Sequence, residues 1–301
     1  MARSAFLFPG QGAQTVGMAV ELCNSLPAAR ELFVQAADLL GYDLLQVCAT
    51  GPKERLDSTV VSQPAIYVAS LAALEQLRQT EPDAAAQCVA SAGLSLGEYT
   101  ALTFAGVLTF ADGLRLVQQR GAAMQAASDA RASGMVSLLL LERPQVEELV
   151  QRASARGLLR IANFLCPGNL VVSGDLDACA EVERLAAEAG ARTVRLSVAG
   201  AFHTPIMAPA VETLSHALDQ VSLGAMRVPV WANVTARAYT DAAEIRQTLA
   251  RQVVEPVRWE DTMRGMLDTG VERFYEIGPG KVLAGLLKRI HRKTECRNVT
   301  A

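Results

Sequence analysis

The 301-residue sequence has no uninterrupted apolar run near the ~18 residues that a membrane span requires. One obvious candidate, Met135 to Leu141, is broken by Ser137. There is no C-x-x-C pair: Cys23, Cys48, Cys88, Cys166, Cys179 and Cys296 are scattered. In a chain this long they read as reduced, mostly buried thiols, so neither a disulfide frame nor a zinc site is expected. A signal-peptide core is missing too, because Pro9 and Gly10 interrupt the first apolar residues early. Neither sign of charge dominates. The 28 Lys+Arg against 31 Asp+Glu give a formal net charge of −3, which argues against a general nucleic-acid binder. With 50% apolar and 20% charged residues, the chain falls in the packed globular class and outside the disordered one. The expectation is a soluble cytoplasmic protein of one large domain or two modest ones, with neither nucleic acid nor membrane as a partner.

What is present is an alternation of strand-like and helix-like stretches. Ser4 to Phe8 is a short apolar strand stopped by Pro9-Gly10, and residues 87–92 form another, ended by Gly93. Helical patterns cover residues 15–24, 28–40 and 63–79; further helices start near Ser95 and Phe110. Such alternation predicts a mainly parallel sheet covered by helices. Residues 135–196 read instead as strand, helix, strand, strand, helix, strand, the ferredoxin-like order. The expected fold class is therefore α/β: a hydrolase-like large domain (1–130 and 198–301) with a small ferredoxin-like α+β domain (131–197) inserted.

The strongest local signal is Gly93-Leu94-Ser95-Leu96-Gly97, a G-x-S-x-G between a predicted strand and a predicted helix. A serine on that turn is presented as a nucleophile, and the helix N-terminus offers unpaired N–H groups to an oxyanion. The bland alternative is that Ser95 only caps the helix. A nucleophilic serine needs a base, and the chain has only three histidines. His291 lies in the basic stretch Lys288-Arg289-Ile290-His291-Arg292-Lys293, and His216 in a helical pattern. His203, in the loop Gly200-Ala201-Phe202-His203-Thr204-Pro205, is the best-placed base. Arg120 falls on the inward face of its helix with Val117, Gly121 and Met124. It needs an anion there; a salt bridge to Glu98 and a bidentate clamp for a substrate carboxylate are equally compatible with the pattern. Phe8-Pro9-Gly10-Gln11-Gly12 and Gly278-Pro279-Gly280-Lys281 fail the dinucleotide and phosphate-loop patterns and read as turns, the first a source of a backbone donor beside Ser95.

Together these segments resemble the malonyl-CoA:acyl-carrier-protein transacylases and the acyltransferase domains of polyketide synthases. The motifs are Phe8-Pro9-Gly10-Gln11-Gly12, Gly93-x-Ser95-Leu96-Gly97-Glu98-Tyr99, Gln119-Arg120-Gly121-x-x-Met124-Gln125, Gly200-Ala201-Phe202-His203-Thr204 and Tyr275-Glu276-Ile277-Gly278-Pro279-Gly280-Lys281, in the family's order along nearly the whole chain. The resemblance implies malonyl transfer from malonyl-CoA to acyl-carrier protein, without cofactor or metal, in fatty-acid or polyketide synthesis. It makes Ser95 the acyl acceptor and His203 its base. Gln11 and Leu96 become the oxyanion-hole donors, Arg120 the clamp for the malonyl carboxylate, and Gln252 the residue that orients the histidine. Phe202 implies a malonyl over methylmalonyl preference. Leu94 departs from the family's usual histidine, which removes a titratable group and bears on acyl selectivity. The basic residues near the C-terminus suit an acidic carrier protein.

Overall fold

The computed structural model describes residues 3–301. Five strands form one wholly parallel sheet: β1 (Ser4–Phe8), β2 (Cys88–Gly93), β7 (Val230–Trp231), β8 (Arg273–Ile277) and β9 (Glu295–Val299), in the order β7-β2-β1-β8-β9. Every residue of β1 is buried, as expected for a central strand covered on both faces. Phe6 and Phe8 point to one face, where Phe6 stacks near Phe104 and Tyr275; Ala5 and Leu7 point to the other, against Trp259, Met263 and Phe274. The helix Thr59–Thr80 runs through the core and is buried on nearly all sides, so its sequence shows little amphipathic pattern.

A second sheet holds β3 (Ser133–Leu139), β4 (Leu159–Cys166), β5 (Asn169–Asp175) and β6 (Arg192–Arg195), antiparallel throughout in the order β4-β5-β3-β6. This is the ferredoxin-like arrangement predicted from the element order. Period-2 alternation divides its side chains. Val136, Leu138 and Val172 face the helices Arg143–Ala153 and Leu176–Glu188, whereas Met135, Ala162 and Val171 face Met124, Phe202 and Met207 of the larger layer. The small sheet thus has two apolar faces, and its second face roofs the site described below. A main-chain seam joins the layers: Phe164 N donates to Val257 O at 2.9 Å and Val257 N to Ala162 O at 2.8 Å.

Several boundaries differ from expectation for local reasons. The helix expected over residues 15–24 is confined to Val20–Ser25, because Gly17 (φ +96°) and Ala19 (φ +64°) are left-handed, which a right-handed helix does not accommodate. The helix expected near Ser95 begins at Gly97, leaving Ser95 on the turn. The helix after Thr109 runs Phe110–Asp129, its first turn capped by the Thr109 hydroxyl, which accepts from Asp112 N at 3.1 Å. At the other edge, the buried Glu276 carboxylate accepts from Leu283 N (2.9 Å) and Ala284 N (2.8 Å), so it anchors the Val282–Ile290 helix by its N-terminus.

Candidate active site

Neighbouring parallel strands bring their C-terminal loops together, and the site forms where the loops after β1 and β2 meet. Ser95 sits there at φ +50°, a strained conformation for a residue with a side chain. Close packing explains the glycines around it. A Cβ on Gly93 would lie 1.9 Å from Gly97 C, one on Gly97 2.1 Å from Phe8 O, and one on Gly10 2.3 Å from Leu94 O. The turn is pinned by Leu94 N donating to Phe8 O (3.0 Å) and Ser95 N to Asn233 Oδ1 (2.6 Å). Beside it, the main-chain N–H groups of Gln11 and Leu96 donate to no acceptor among the described residues. A helix N-terminus and a turn therefore leave two donors free near Ser95.

His203 is also left-handed, at φ +61°, with its N–H on Val253 O at 2.9 Å. Its Nδ1 lies 2.7 Å from Gln252 O and its Nε2 2.9 Å from Ser95 Oγ. A carbonyl only accepts, so the proton belongs on Nδ1 and Nε2 is left to accept from the serine. Burial, and next the Arg120 charge, lower the His203 imidazole to about 4. The orienting group is the main chain of Gln252, not its amide. That amide bridges instead: Nε2 donates to Ser95 O (3.0 Å) and Glu98 Oε2 (2.7 Å), while Oε1 accepts from Arg120. No carboxylate takes the place that a hydrolase triad would give it; Asp175, for example, pairs with Arg131 in the small sheet.

Arg120 is 1% exposed and is not salt-bridged to Glu98, one of the two alternatives the sequence allowed. Its Nη1 donates to Gln63 Oε1 at 2.8 Å, and its Nη2 to Gln252 Oε1 at 2.9 Å and Ser95 Oγ at 2.8 Å. These acceptors are all neutral. The guanidinium carbon lies 5.5 Å from the Tyr99 ring centroid, and Nε has no partner. A cation is buried beside the serine with no direct anion.

Ser95, Arg120 and His203 open on a cavity of about 180 Å³, otherwise lined chiefly by apolar side chains including Leu94, Met124, Met135, Leu165, Val198 and Phe202. The volume suits a short acyl chain. Phe202 stands beside His203, 5% exposed, and Leu94 packs with Leu165 against the lower core layer. Val282, at the start of the last helix, completes the lining. A serine–histidine pair, two free N–H groups and a short cavity are the parts of an acyl-transfer site.

The family model described as "Acyl transferase domain" matches residues 5–300. The chain belongs to the acyl transferase family. A mitochondrial malonyl-CoA-acyl carrier protein transacylase of Mus musculus is 42% identical over 96% of this chain and 79% of its own length. The malonyl CoA-acyl carrier protein transacylase of Coxiella burnetii superposes with a TM-score of 0.94 at 35% identity, covering 99% of this chain and 94% of its own. A malonyl-transacylase solved in complex with its type II PKS acyl-carrier protein gives a TM-score of 0.94 at 34% identity, covering 99% of this chain and 96% of its own.

The candidate site contains residues that the sequence did not single out. Gln63 is buried in the core helix, and Asn233 follows a two-residue strand. Tyr239 donates to Glu98 Oε1. Gln63 opens a helical pattern that is buried on nearly all sides, and Asn233 and Tyr239 lie in no periodic or glycine-bounded pattern, so nothing local marked these three residues. Among the described residues no three His, Cys, Asp or Glu side chains gather as metal ligands do, and no helix is long and apolar enough to cross a membrane. All six cysteines are free.

The low His203 value yields a direct expectation. By NMR titration its ring should protonate with a midpoint near pH 4, well below the ordinary value of 6.5. Arg120→Ala should raise that midpoint, since Arg120 is the second cause of the shift. An ordinary midpoint in the unmodified chain would contradict the buried, neutral base.

Proposed function

We propose that this chain moves a malonyl group from malonyl-CoA to the phosphopantetheine thiol of an acyl-carrier protein through a malonyl-Ser95 intermediate. The observation that carries the reading is the buried Arg120 fork, 2.8 Å from Ser95 Oγ and without a direct anion. Malonyl differs from acetyl by a carboxylate, which is what such a fork lacks.

His203 Nε2 takes the Ser95 proton as Oγ attacks the thioester carbon. The tetrahedral oxyanion is held by the Gln11 and Leu96 N–H groups, and coenzyme A departs as a thiol with the proton from His203. The carrier thiol then attacks malonyl-Ser95 by the reverse route. Arg120 pairs with the free carboxylate throughout, so it positions the thioester as well as selecting it. Phe202 crowds the α-carbon, where methylmalonyl bears its methyl. Leu94 supplies an apolar wall where a histidine would add a titratable group. The chemistry calls for no metal or cofactor.

In this reading residues 131–197 act as a small domain roofing the site, and the protein works in the cytoplasm beside its carrier, with neither nucleic acid nor membrane as partner. Fatty-acid and polyketide synthesis fit equally. The distinction depends on the carrier, and the solved complex with a type II PKS carrier shows one relative serving the second.

Arg120→Ala should lower malonyl transfer by roughly 10²–10³-fold while acetyl transfer holds or rises, as for a buried charge pair broken on one side. Steady-state assays with malonyl-, acetyl- and methylmalonyl-CoA read the difference. Methylmalonyl rejection should be partial, since a methyl is worth about 1–3 kcal/mol. Equal losses for malonyl and acetyl would make Arg120 a structural group.

The carrier would meet the last helix. Lys288, Arg289, Arg292 and Lys293 are exposed along or just past Val282–Ile290, whose first residue lines the cavity. Arg289 also donates to Pro167 O at 2.8 Å, so Lys288 and Arg292 are the cleaner sites to alter. Reversing both charges should slow transfer to an acidic carrier and flatten its salt dependence, with acylation of Ser95 by malonyl-CoA unaffected. An unchanged rate and salt slope would dispose of this surface.

A further inference from the structure

Two carboxylates are fully buried. Glu276 is accounted for by the helix it anchors, whereas the mechanism above makes no use of Glu98. The donors around Glu98 are unusual in what else they hold. Asn233 N donates to its Oε2 at 3.0 Å, and the same residue's side chain accepts from Ser95 N and donates to Gly93 O at 2.7 Å. Gln252 Nε2 donates to the same Oε2 at 2.7 Å, and that residue also holds Arg120, Ser95 O and the His203 ring. Tyr239 donates to Oε1. One carboxylate therefore braces the residues that fix the nucleophile, the base and the clamp.

We propose that Glu98 is the counter-charge of Arg120 in the empty site and takes up a proton when the substrate carboxylate pairs with Arg120. The proposal rests on the malonyl reading above. Arg120 has no direct anion, and Glu98 is one amide away through Gln252, so in the empty site the two charges balance across that bridge. A second carboxylate on Arg120 would leave two anions sharing one cation in a dry interior, and the arrangement is relieved if the inner one becomes neutral. The proton adds from solvent to a Glu98 oxygen, where the new O–H can face Tyr239 Oη. It returns to solvent when the malonyl group leaves with the carrier.

The surrounding groups allow this. The charged and titratable groups facing Glu98 are Arg120, from the Phe110–Asp129 helix; Tyr239, from the segment after β7; and Tyr99, on its own helix. Arg120 is the only cation among them. Burial raises the Glu98 carboxyl to about 7, against the lowering by Tyr239, Gln252, Asn233 and Arg120. Neutralising Arg120 with a substrate anion removes one of those lowering causes, so the group moves further up and binds a proton near neutral pH. Both tyrosines are pushed upward by burial and stay neutral. Pairing Arg120 with an anion also removes one cause of the low His203 value, but burial, the larger cause, remains and keeps the ring neutral around pH 8, so it does not compete for the proton there.

The test is titration calorimetry of malonyl-CoA into the Ser95→Ala chain, which cannot be acylated there, in two buffers of different ionisation heat. The expected result is uptake of a substantial fraction of a proton per site, largest around pH 8. Acetyl-CoA, which brings no carboxylate, should give none. Nor should malonyl-CoA with Ser95→Ala/Glu98→Gln, since glutamine keeps an oxygen for Asn233 and Gln252 but carries no charge. In the acylating chain, the KM for malonyl-CoA should rise by up to about tenfold per pH unit above neutrality, and Glu98→Gln should abolish that slope. Buffer-independent heats with malonyl-CoA, or uptake that persists without Glu98, would overturn the proposal and leave malonyl transfer intact. Absence of malonyl-CoA binding would overturn the functional reading itself and this inference with it. The acetyl comparison keeps Glu98 in place, so it decides the matter even if the Glu98→Gln chain does not fold.

Discussion

A cation with no direct anion, held inside a folded protein, is the constraint around which this site is organised. Arg120 is almost completely buried, yet its hydrogen-bond partners are two amide oxygens and a serine hydroxyl. Leaving a charge in that condition costs free energy, and the fold carries the cost by spreading it over neutral acceptors, a ring face and one more distant carboxylate. Gln63, Gln252 and the adjacent pair Glu98 and Tyr99 come from three separate stretches of chain, so this setting of Arg120 assembles only when the core helix and the parallel sheet have come together. In the proposed reaction the malonyl carboxylate would meet a receptor already in place.

Ser95, the proposed nucleophile, depends on a different constraint, that of space. Ser95 can occupy a left-handed turn because Gly93, Gly97 and Gly10 let three backbone segments approach more closely than any side chain would permit. That approach places the Gln11 turn beside the helix N-terminus and supplies two free N–H groups from main chain alone. The same principle orients the base: a main-chain carbonyl, rather than a carboxylate, holds His203 Nδ1. Combined with burial, it keeps the ring neutral over a wide pH range, which suits a base that must accept a proton from serine and return it to a thiol.

Much of this was legible in the sequence, and the pattern of success has physical reasons. Ser95 stood out because glycines at fixed offsets are demanded by backbone contact. His203 stood out because histidine is rare here and its loop is bounded by glycine and proline. The small sheet was readable because its strands, apolar on both faces, are short apolar runs separated by helices with one buried stripe, while the edge strands β7 and β9 were not: one has two residues and the other is largely exposed. Arg120 was visible as an inward cation, but its partners were not, since Gln63 sits in a helix buried on all sides and Asn233 follows a strand too short to show. Gln252 was expected beside the histidine without its atoms being specified: its side chain braces Arg120 and Glu98, and its main chain holds the ring, a division that no side-chain motif can reveal.

In the proposed transfer a malonyl group rests covalently on Ser95 between donor and carrier. Peptide mass spectrometry after brief mixing with malonyl-CoA, in the absence of carrier, tests it most directly. A malonyl adduct should appear on the peptide that contains Ser95, be discharged when carrier protein is added, and be absent in Ser95→Ala. An adduct of undiminished yield in Ser95→Ala, or transfer to carrier without any labelled serine, would contradict the proposed transfer.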